Sequence, residues 1–415
     1  MSTTRIACPF AAVLVGLTLA LSAAAQTADP PARVARLASI NGTVSYHLAD
    51  ADRWEAASAN LPLSTGAAVW TEPAARAGVE VGENRITLGA STEFDIDRLD
   101  DHALVATEPQ GLAYVRLRDV PGGDTYSIAT PRGIAVLSRA GRYEVVAGDV
   151  EHPTTITVIE GAAQLTGIPA QVQIGPNQTV TITGDGATHP FTPSLGPAQR
   201  DAFLAAMLAA DRPVTRRMPA HVARMTGAVA LEEYGQWSTS PEYGAIWYPP
   251  PDPNFVPYRD GHWAYVEPWG WTWVDDAPWG FAPTHYGRWA DIGGRWAWIP
   301  GVPPPSGAEP VWTPAVVAFL GGAAAGSLVS WVPLGPGEPY RPPYQASTRY
   351  LEVVNRYNVR DPAGLNAAPQ LVNRAAATSV PPDIMAGSWS VRSAAKPLPP
   401  QALQAAAEIQ PRPPV

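Results

Sequence analysis

From about Val34 to Thr188 the chain runs in short stretches where apolar and polar residues alternate. They read TVSY, GVEV, ITL, FDI, LAYVRL, YSI, GIAVL, YEVV, TITVI, AQL, VQI and TVTI. A period of two puts one face of each stretch toward a core, and turn residues such as Asn41-Gly42 and Gly122-Gly123 separate them. The spacing predicts an all-β domain over 34–188, with no helical period inside it. Over 194–231 the period changes to about 3.6. Phe203, Leu204, Met207 and Leu208 make one stripe, and Met218, Val222, Met225 and Val229 make another. Pro197 suits a first helical turn and Pro219 the start of a second helix. This connector is expected to dock its apolar stripes on neighbouring cores.

The pattern changes again at about Tyr234. No leucine occurs between Leu231 and Leu320, whereas twelve tryptophans lie between Trp237 and Trp331. Pro268-Trp269-Gly270-Trp271 returns ten residues later as Pro278-Trp279-Gly280-Phe281, which suits a meander of short antiparallel strands over 234–346. On such strands Trp269, Trp271 and Trp273 share one face, as do Trp263 with Tyr265 and Trp296 with Trp298. An indole can bury about 200 Å². With aliphatic residues so scarce, the indoles are expected to be the core. The alternative is an exposed platform in PWGWTW or HYGRWADIGGRW that stacks on sugar rings or a partner peptide.

Two further segments follow from pattern. Val311 to Pro333 carries no charge and is long enough to cross a bilayer. Pro314, Gly321-Gly322 and Gly326 interrupt it, so it reads as a buried hairpin. The region 347–415 is rich in proline and alanine. RYLEVVNRYNV is expected to make one more strand, and the residues after Pro381 are expected to be weakly structured.

Composition narrows the class. The first 25 residues combine one positive charge, an apolar stretch from Ala7 to Leu21, and Ala23 and Ala25 at signal-peptidase spacing, so residues 1–25 are read as a cleaved export signal. The whole chain has 28 basic and 37 acidic residues. Loss of Arg5 leaves 27 against 37, a net charge of −10, the wrong sign for nucleic acid. Cys8 is the sole cysteine and leaves with the signal, which removes disulfides and thiolate metal sites from the mature chain.

The stretch LPLSTGAAVWTEPAARAGVEVGENRITLGASTEFDI, followed by IATPRGIAVLSRAGRYEVV and TTITVIEGAAQL, resembles the periplasmic domain of FecR-type proteins over roughly Val34 to Gly184. The resemblance implies a twisted β-solenoid or roll that takes part in protein contacts during transmembrane signalling. FecR regulators are expected to carry a cytoplasmic sigma-factor-binding segment and a membrane helix ahead of this domain. Only an export signal precedes it here, so the fold is carried over and the anti-sigma role is not. The segments YGQWSTSPEYGAIWYPP, PYRDGHWAYVEPWGWTWVDDAPWGFAPTHYGRW, GRWAWIPG and WVPLGPGEPY resemble FecR-like exported bacterial proteins with a tryptophan-rich domain of uncharacterised function. That resemblance implies a domain order and an envelope location, and no catalytic residues.

Candidate chemistry is sparse. Glu267, Asp275 and Asp276 suggest paired-carboxylate glycoside chemistry, but strand neighbours face opposite ways and Asp-Asp before Ala-Pro suits a turn. His262 and His285, with Asp260 or Asp291, lack the close spacing of metal ligands. Gly321 to Gly326 lacks the lysine of a phosphate loop. The expected fold is mainly β. The expected protein is a non-catalytic periplasmic or other cell-envelope protein that binds a protein or glycan partner, with no cofactor and no metal. The edge or groove of the FecR-like domain is the favoured surface. Tyr258, Arg259, Trp269, Trp271, Tyr286 and Arg288 are the expected contact residues of the tryptophan-rich domain. A glycan-cleaving activity in that domain and an accessory role in transporter signalling are the alternatives.

Overall fold

In the computed structural model the described residues are 29–49, 53–211, 217–321, 328–359, 361–366, 370–396 and 398. Residues 1–28, which include Cys8 and the stretch expected to be an export signal, the glycine-rich segment 322–326 and the stretch 399–415 lie outside them.

The N-terminal domain is two nine-stranded sheets packed face to face. The first runs Pro62–Leu63, Ala35–Asn41, Arg76–Val81, Asn84–Leu88, Leu112–Leu117, Gly141–Val146, Thr154–Glu160, Gln178–Thr183 and Thr192–Pro197. The second runs Glu55–Ala56, Val44–His47, Ala68–Thr71, Glu93–Leu99, Ala103–Gln110, Thr125–Thr130, Gly133–Leu137, Ala163–Thr166 and Val172–Ile174. The chain crosses between sheets every one or two strands, so both sheets advance in chain order apart from the first pair in each. All pairings are antiparallel except Thr125–Thr130 against Ala103–Gln110, which lie side by side because the intervening Leu112–Leu117 belongs to the other sheet. Leu37, Val69, Phe94, Val115, Ile128, Tyr143, Ile156 and Val180 fill the space between the sheets.

All twelve alternating runs lie in strands. Six strands had no such signature, among them Ala103–Gln110, whose Glu108 is fully buried and breaks the alternation. Two neighbouring turns of the first sheet, Gly148 to Pro153 and Gly184 to Pro190, read GDVEHP and GDGATHP. In each the glycine takes a positive φ, +71° and +99°. The aspartate then accepts backbone N–H groups: Asp149 from Glu151 and His152, and Asp185 from Ala187, Thr188 and His189.

Pro197 ends an edge strand instead of opening a helix. The first connector helix is Ala202–Ala210, capped by Asp201, which accepts from the Leu204 N–H at 2.7 Å. Leu204 seats against Tyr114 and Ile159. At the far end Asp211 receives Arg116, Arg118 and Arg142 at 3.0, 3.3 and 3.1 Å. Pro219 caps the short helix Ala220–Ala223, and Met218, Val222 and Met225 are buried in the C-terminal core.

That core is aromatic. Trp247, Trp263, Trp269, Trp273, Trp279, Trp289, Trp298, Trp312 and Trp331 are buried, and Trp237, Trp271 and Trp296 are half-buried. Around them lie the hairpin Gly261–Val266 with Gly270–Asp275, a four-stranded sheet (Gln236–Ser240, Gly244–Tyr248, Trp296–Ile299, Arg288–Asp291), and a three-stranded sheet. The expected buried hairpin is present in the last: Val317–Leu320 pairs with Val329–Pro333, and Thr378–Val380 adds the third strand. No helix of the described residues is long and apolar enough to cross a membrane.

The ten-residue repeat is not structural. PWGW forms the hairpin turn, whereas PWGF leads into the short helix Phe281–His285. RYLEVVNRYNV is mostly helix, Thr348–Asn355, capped by Ser347, not a strand. Beyond Pro381 the helices Pro382–Ala386 and Val391–Ala394 pack Met385 and Val391, both fully buried, onto the core. The two helices are more ordered than expected there, the exposed turn over 387–390 between them is not part of a regular element, and residues 397 and 399–415 lie outside the described residues.

Trp263 touches Trp273, Phe319 and Trp331 with ring centroids 5.3–5.4 Å apart. Trp263→Ala is expected to cost about 3–5 kcal/mol in urea unfolding, as for other buried aromatics. Trp271→Ala, at a half-buried position, is expected to cost about 1 kcal/mol. Equal losses at the two sites would mean that Trp263 is not part of the packed interior.

Candidate functional site

Four of the six expected contact residues are interior. Tyr258 follows a proline-rich loop and takes a left-handed φ of +59°. This turns its ring inward, where its hydroxyl donates to Thr284 O at 2.8 Å and accepts from Val316 N at 3.1 Å. Trp269 lies against Trp312, centroids 4.7 Å apart. Arg288 is 2% exposed. Its guanidinium donates to Glu338 O, Gly287 O and Asn355 Oδ1 at 2.9, 2.7 and 3.1 Å. Tyr286 is buried with its carbonyl accepting from Trp298 Nε1 at 2.8 Å. These four side chains are spent on the interior, so as a set they form no outer contact surface. Trp271 and Arg259 are half-exposed, and Trp271 meets Tyr265 edge to face at 5.6 Å.

The catalytic candidates are separated in the same way. Asp275 is buried, whereas Glu267 and Asp276 face solvent. Asp275 accepts from Trp273 Nε1 and from Ala277 N, both at 3.0 Å. Burial pushes its carboxyl up to about 7, although both hydrogen bonds favour the charged form. His285 is buried between Phe281 and Trp312, with Nδ1 on Thr313 O at 2.7 Å. Burial holds it down to about 3 and therefore neutral. His262 is half-buried and also lowered by desolvation, while Asp260 pairs with Arg392 at 2.5 Å. Among the described residues no three His, Cys, Asp or Glu side chains are arranged to hold a metal ion.

The concave feature lies where the domains meet, and polar contacts fix its walls. Asn60 is 1% exposed with φ +64°, a conformation asparagine tolerates. Its Nδ2 donates across the interface to Asp275 O at 2.9 Å and Ala277 O at 2.7 Å, and its Oδ1 accepts from Arg36 at 2.9 Å. Arg36 is completed by Glu80 at 2.9 Å. Thr226 of the connector donates to Val34 O and accepts from Gly82 N at 2.8 and 2.9 Å.

Beside these contacts opens a cleft of about 320 Å³, with Val81 and Tyr126 from the β domain and Tyr286 and Val311 from the tryptophan domain among its apolar walls. It adjoins a broader hollow of about 830 Å³ that shares Ala32, Asp101 and His102 with it. Glu83, Asp101, Asp119, Asp124 and Glu309 line it against Arg33, Arg224 and Arg356. Arg33 is held by Asp124 at 2.9 Å and Asp100 O at 2.8 Å, and Arg224 by Glu309 at 2.6 Å. The Tyr126 hydroxyl accepts from Arg33 and from Asn84 at 3.2 and 2.8 Å. An apolar floor with paired charges at its margin suits retention of an amphipathic group, and the volume lies at the small end of ligand pockets. Of the expected contact residues only Tyr286 reaches this cleft. Its other residues come from positions 32 to 356, with no shared motif to announce them.

Residues 228–338 match a family model described as a family of unknown function, DUF6600. Among solved structures the chain has a weak likeness to two crystal structures of a putative anti-sigma factor from Parabacteroides distasonis ATCC 8503. Each is 13% identical, with TM-scores of 0.29 and 0.27, covering 34% and 32% of this chain. The match spans 64% and 61% of the length of those chains. No curated protein matches.

Asp275 sets a pH dependence. Its folded-state value of about 7 lies above the ordinary 3.8, so its contribution to stability is complete below about pH 4 and is lost as pH rises toward and through 7. Thermal unfolding of Asp275→Asn is therefore expected to fall less steeply between pH 5 and 8 than that of the parent. Identical slopes would show that Asp275 is ionised, and hence hydrated, in the folded protein.

Proposed function

We propose that this chain is an exported cell-envelope protein that binds a protein or glycan partner without turning it over, and that the interdomain cleft is where the partner engages. The apolar N-terminal stretch with its small-residue cleavage site supports export. The two-sheet roll, with strands passed alternately between layers, supports kinship of the first domain with the FecR-type periplasmic domain. The tryptophan-rich part supplies the second wall.

One observation carries the reading. The cleft is composite, and buried hydrogen bonds from Asn60, Arg36 and Thr226 fix its two walls relative to each other. A preformed concave site costs little ordering on binding. The glycan-cleaving alternative loses its best carboxylate, since Asp275 is committed to Trp273, Ala277 and the domain interface.

Because Cys8 is the sole cysteine, a single introduced thiol can report on the cleft. In a Cys8→Ala background, Asp119→Cys at the cleft margin carries a photo-crosslinker, and Val150→Cys serves as the control. Val150 is 98% exposed at the opposite end of the strands, since Leu112 pairs with Val146 there while Leu117 pairs with Gly141 near the cleft. In envelope fractions a discrete adduct is expected from Asp119→Cys alone. Equal labelling from both positions, or none from Asp119→Cys, would remove the cleft from the proposal.

A further inference from the structure

The outer face of the second sheet carries a composition that the cleft does not use. Its register can be followed strand by strand. Ser45 pairs with Ala56 on one side and Trp70 on the other, and Trp70 pairs with Glu93. One row along, His47 pairs with Ala68 and Ala68 with Asp95, which in turn pairs with Thr107. Directly opposite residues share a face. Because Val69 and Phe94 are fully buried between the sheets, Trp70, Glu93 and Asp95 point outward.

Two indoles stand on this face. Trp54 is 42% exposed and meets the His47 ring edge to face at 4.7 Å. Trp70 is half-exposed, with its N–H fixed by Glu72 at 3.0 Å. Beside them the strand Glu93–Leu99 presents Glu93, Asp95 and Asp97. The nearby cations are already engaged at the margin, Arg53 with Glu55 at 3.9 Å and Arg98 with Asp100 at 3.5 Å. The face therefore has unbalanced negative charge. Asp95 is pushed up to about 6 by burial and by Glu93 and Asp97, with only His47 opposing. Crowded carboxylates of this kind gain from an added cation, and an indole face is the best aromatic partner for one.

We propose that the outer face of the second sheet, from Trp54 and Trp70 to Glu93, Asp95 and Asp97, docks a lysine- or arginine-bearing segment of a partner protein. Its cationic groups lie over the two indoles and against the carboxylate row. The site is separate from the cleft, sharing none of the residues that line it.

The test uses the full chain and an octalysine peptide, with affinity from titration calorimetry as the readout. Trp54→Ala is expected to weaken binding about two- to fivefold, the range of an exposed cation–π contact. Glu93→Gln with Asp95→Asn is expected to weaken it about tenfold, while Glu151→Gln in the exposed turn from Gly148 to Pro153 leaves it unchanged. Circular dichroism checks that each variant folds. Three outcomes overturn the proposal: no change in Trp54→Ala and the charge variant, an equal loss in Glu151→Gln, or N-acetylated chitohexaose binding through the same residues. The second would mean general attraction to an acidic chain, and the third a glycan surface.

Discussion

The C-terminal domain depends on close packing of buried indoles, and five of them also place their N–H on an acceptor, whereas the N–H groups of Trp263 and Trp312 are buried without one among the described residues. Trp247 donates to Leu231 O, Trp289 to Pro283 O, Trp298 to Tyr286 O, Trp331 to Tyr258 O and Trp273 to the Asp275 carboxylate, at 2.8–3.1 Å. Four of these acceptors are backbone carbonyls outside the sheets, those of Leu231 and Pro283 in short helices and those of Tyr258 and Tyr286 in connections. Short strands joined by proline- and glycine-rich connections therefore leave carbonyls within reach of several rings. Tyr258 shows the cost and the return. Its left-handed backbone is unfavourable for a tyrosine, yet it places a carbonyl on Trp331 and a hydroxyl between Thr284 and Val316.

A second constraint is that polar side chains taken into this core find partners there. Arg288, Asn355, Glu338 and Asn373 form one connected set. Asn355 accepts from Arg288 and from Tyr340 N, Glu338 accepts from Gly335 N and Val372 N, and Asn373 donates to Trp289 O and Pro333 O. Removal of any one leaves its buried partners unpaired, so these residues tie the segments around Glu338, Asn355 and Asn373 to the aromatic core. The domain interface obeys the same logic through Arg36 and Asn60.

Where a residue's burial shows in its neighbours, the sequence is readable. The alternating runs became strands because their apolar positions are separated by two, and the absence of leucine from 232 to 319 left tryptophan as the main bulky filling of an interior that also holds valine, phenylalanine and tyrosine. Misreadings arose where chemistry suggests surface and context dictates otherwise. Arg288 and Tyr258 are polar residues in a loop-rich stretch, and nothing local shows that Glu338 and Val316 will meet them. The helix Thr348–Asn355 did carry a signal: Tyr350, Val354 and Tyr357 are buried at spacings of four and three, and Ser347 caps the first turn. The composite cleft carried none, because its walls come from residues hundreds of positions apart.

The lead-in segment Asp29 to Val34 is fastened by groups supplied from far along the chain. Ala32 N reaches Asp101, Ala32 O receives Trp312 N, Val34 O receives Thr226, and Asp29 receives Ser347. The roll can zip up progressively as successive hairpins emerge, since its sheets follow chain order. The lead-in cannot be secured until Trp312 and Ser347 have been made and placed. Assembly therefore finishes where it began, and a chain cut short before residue 312 would keep the greater part of its strands while its starting end stayed unfastened.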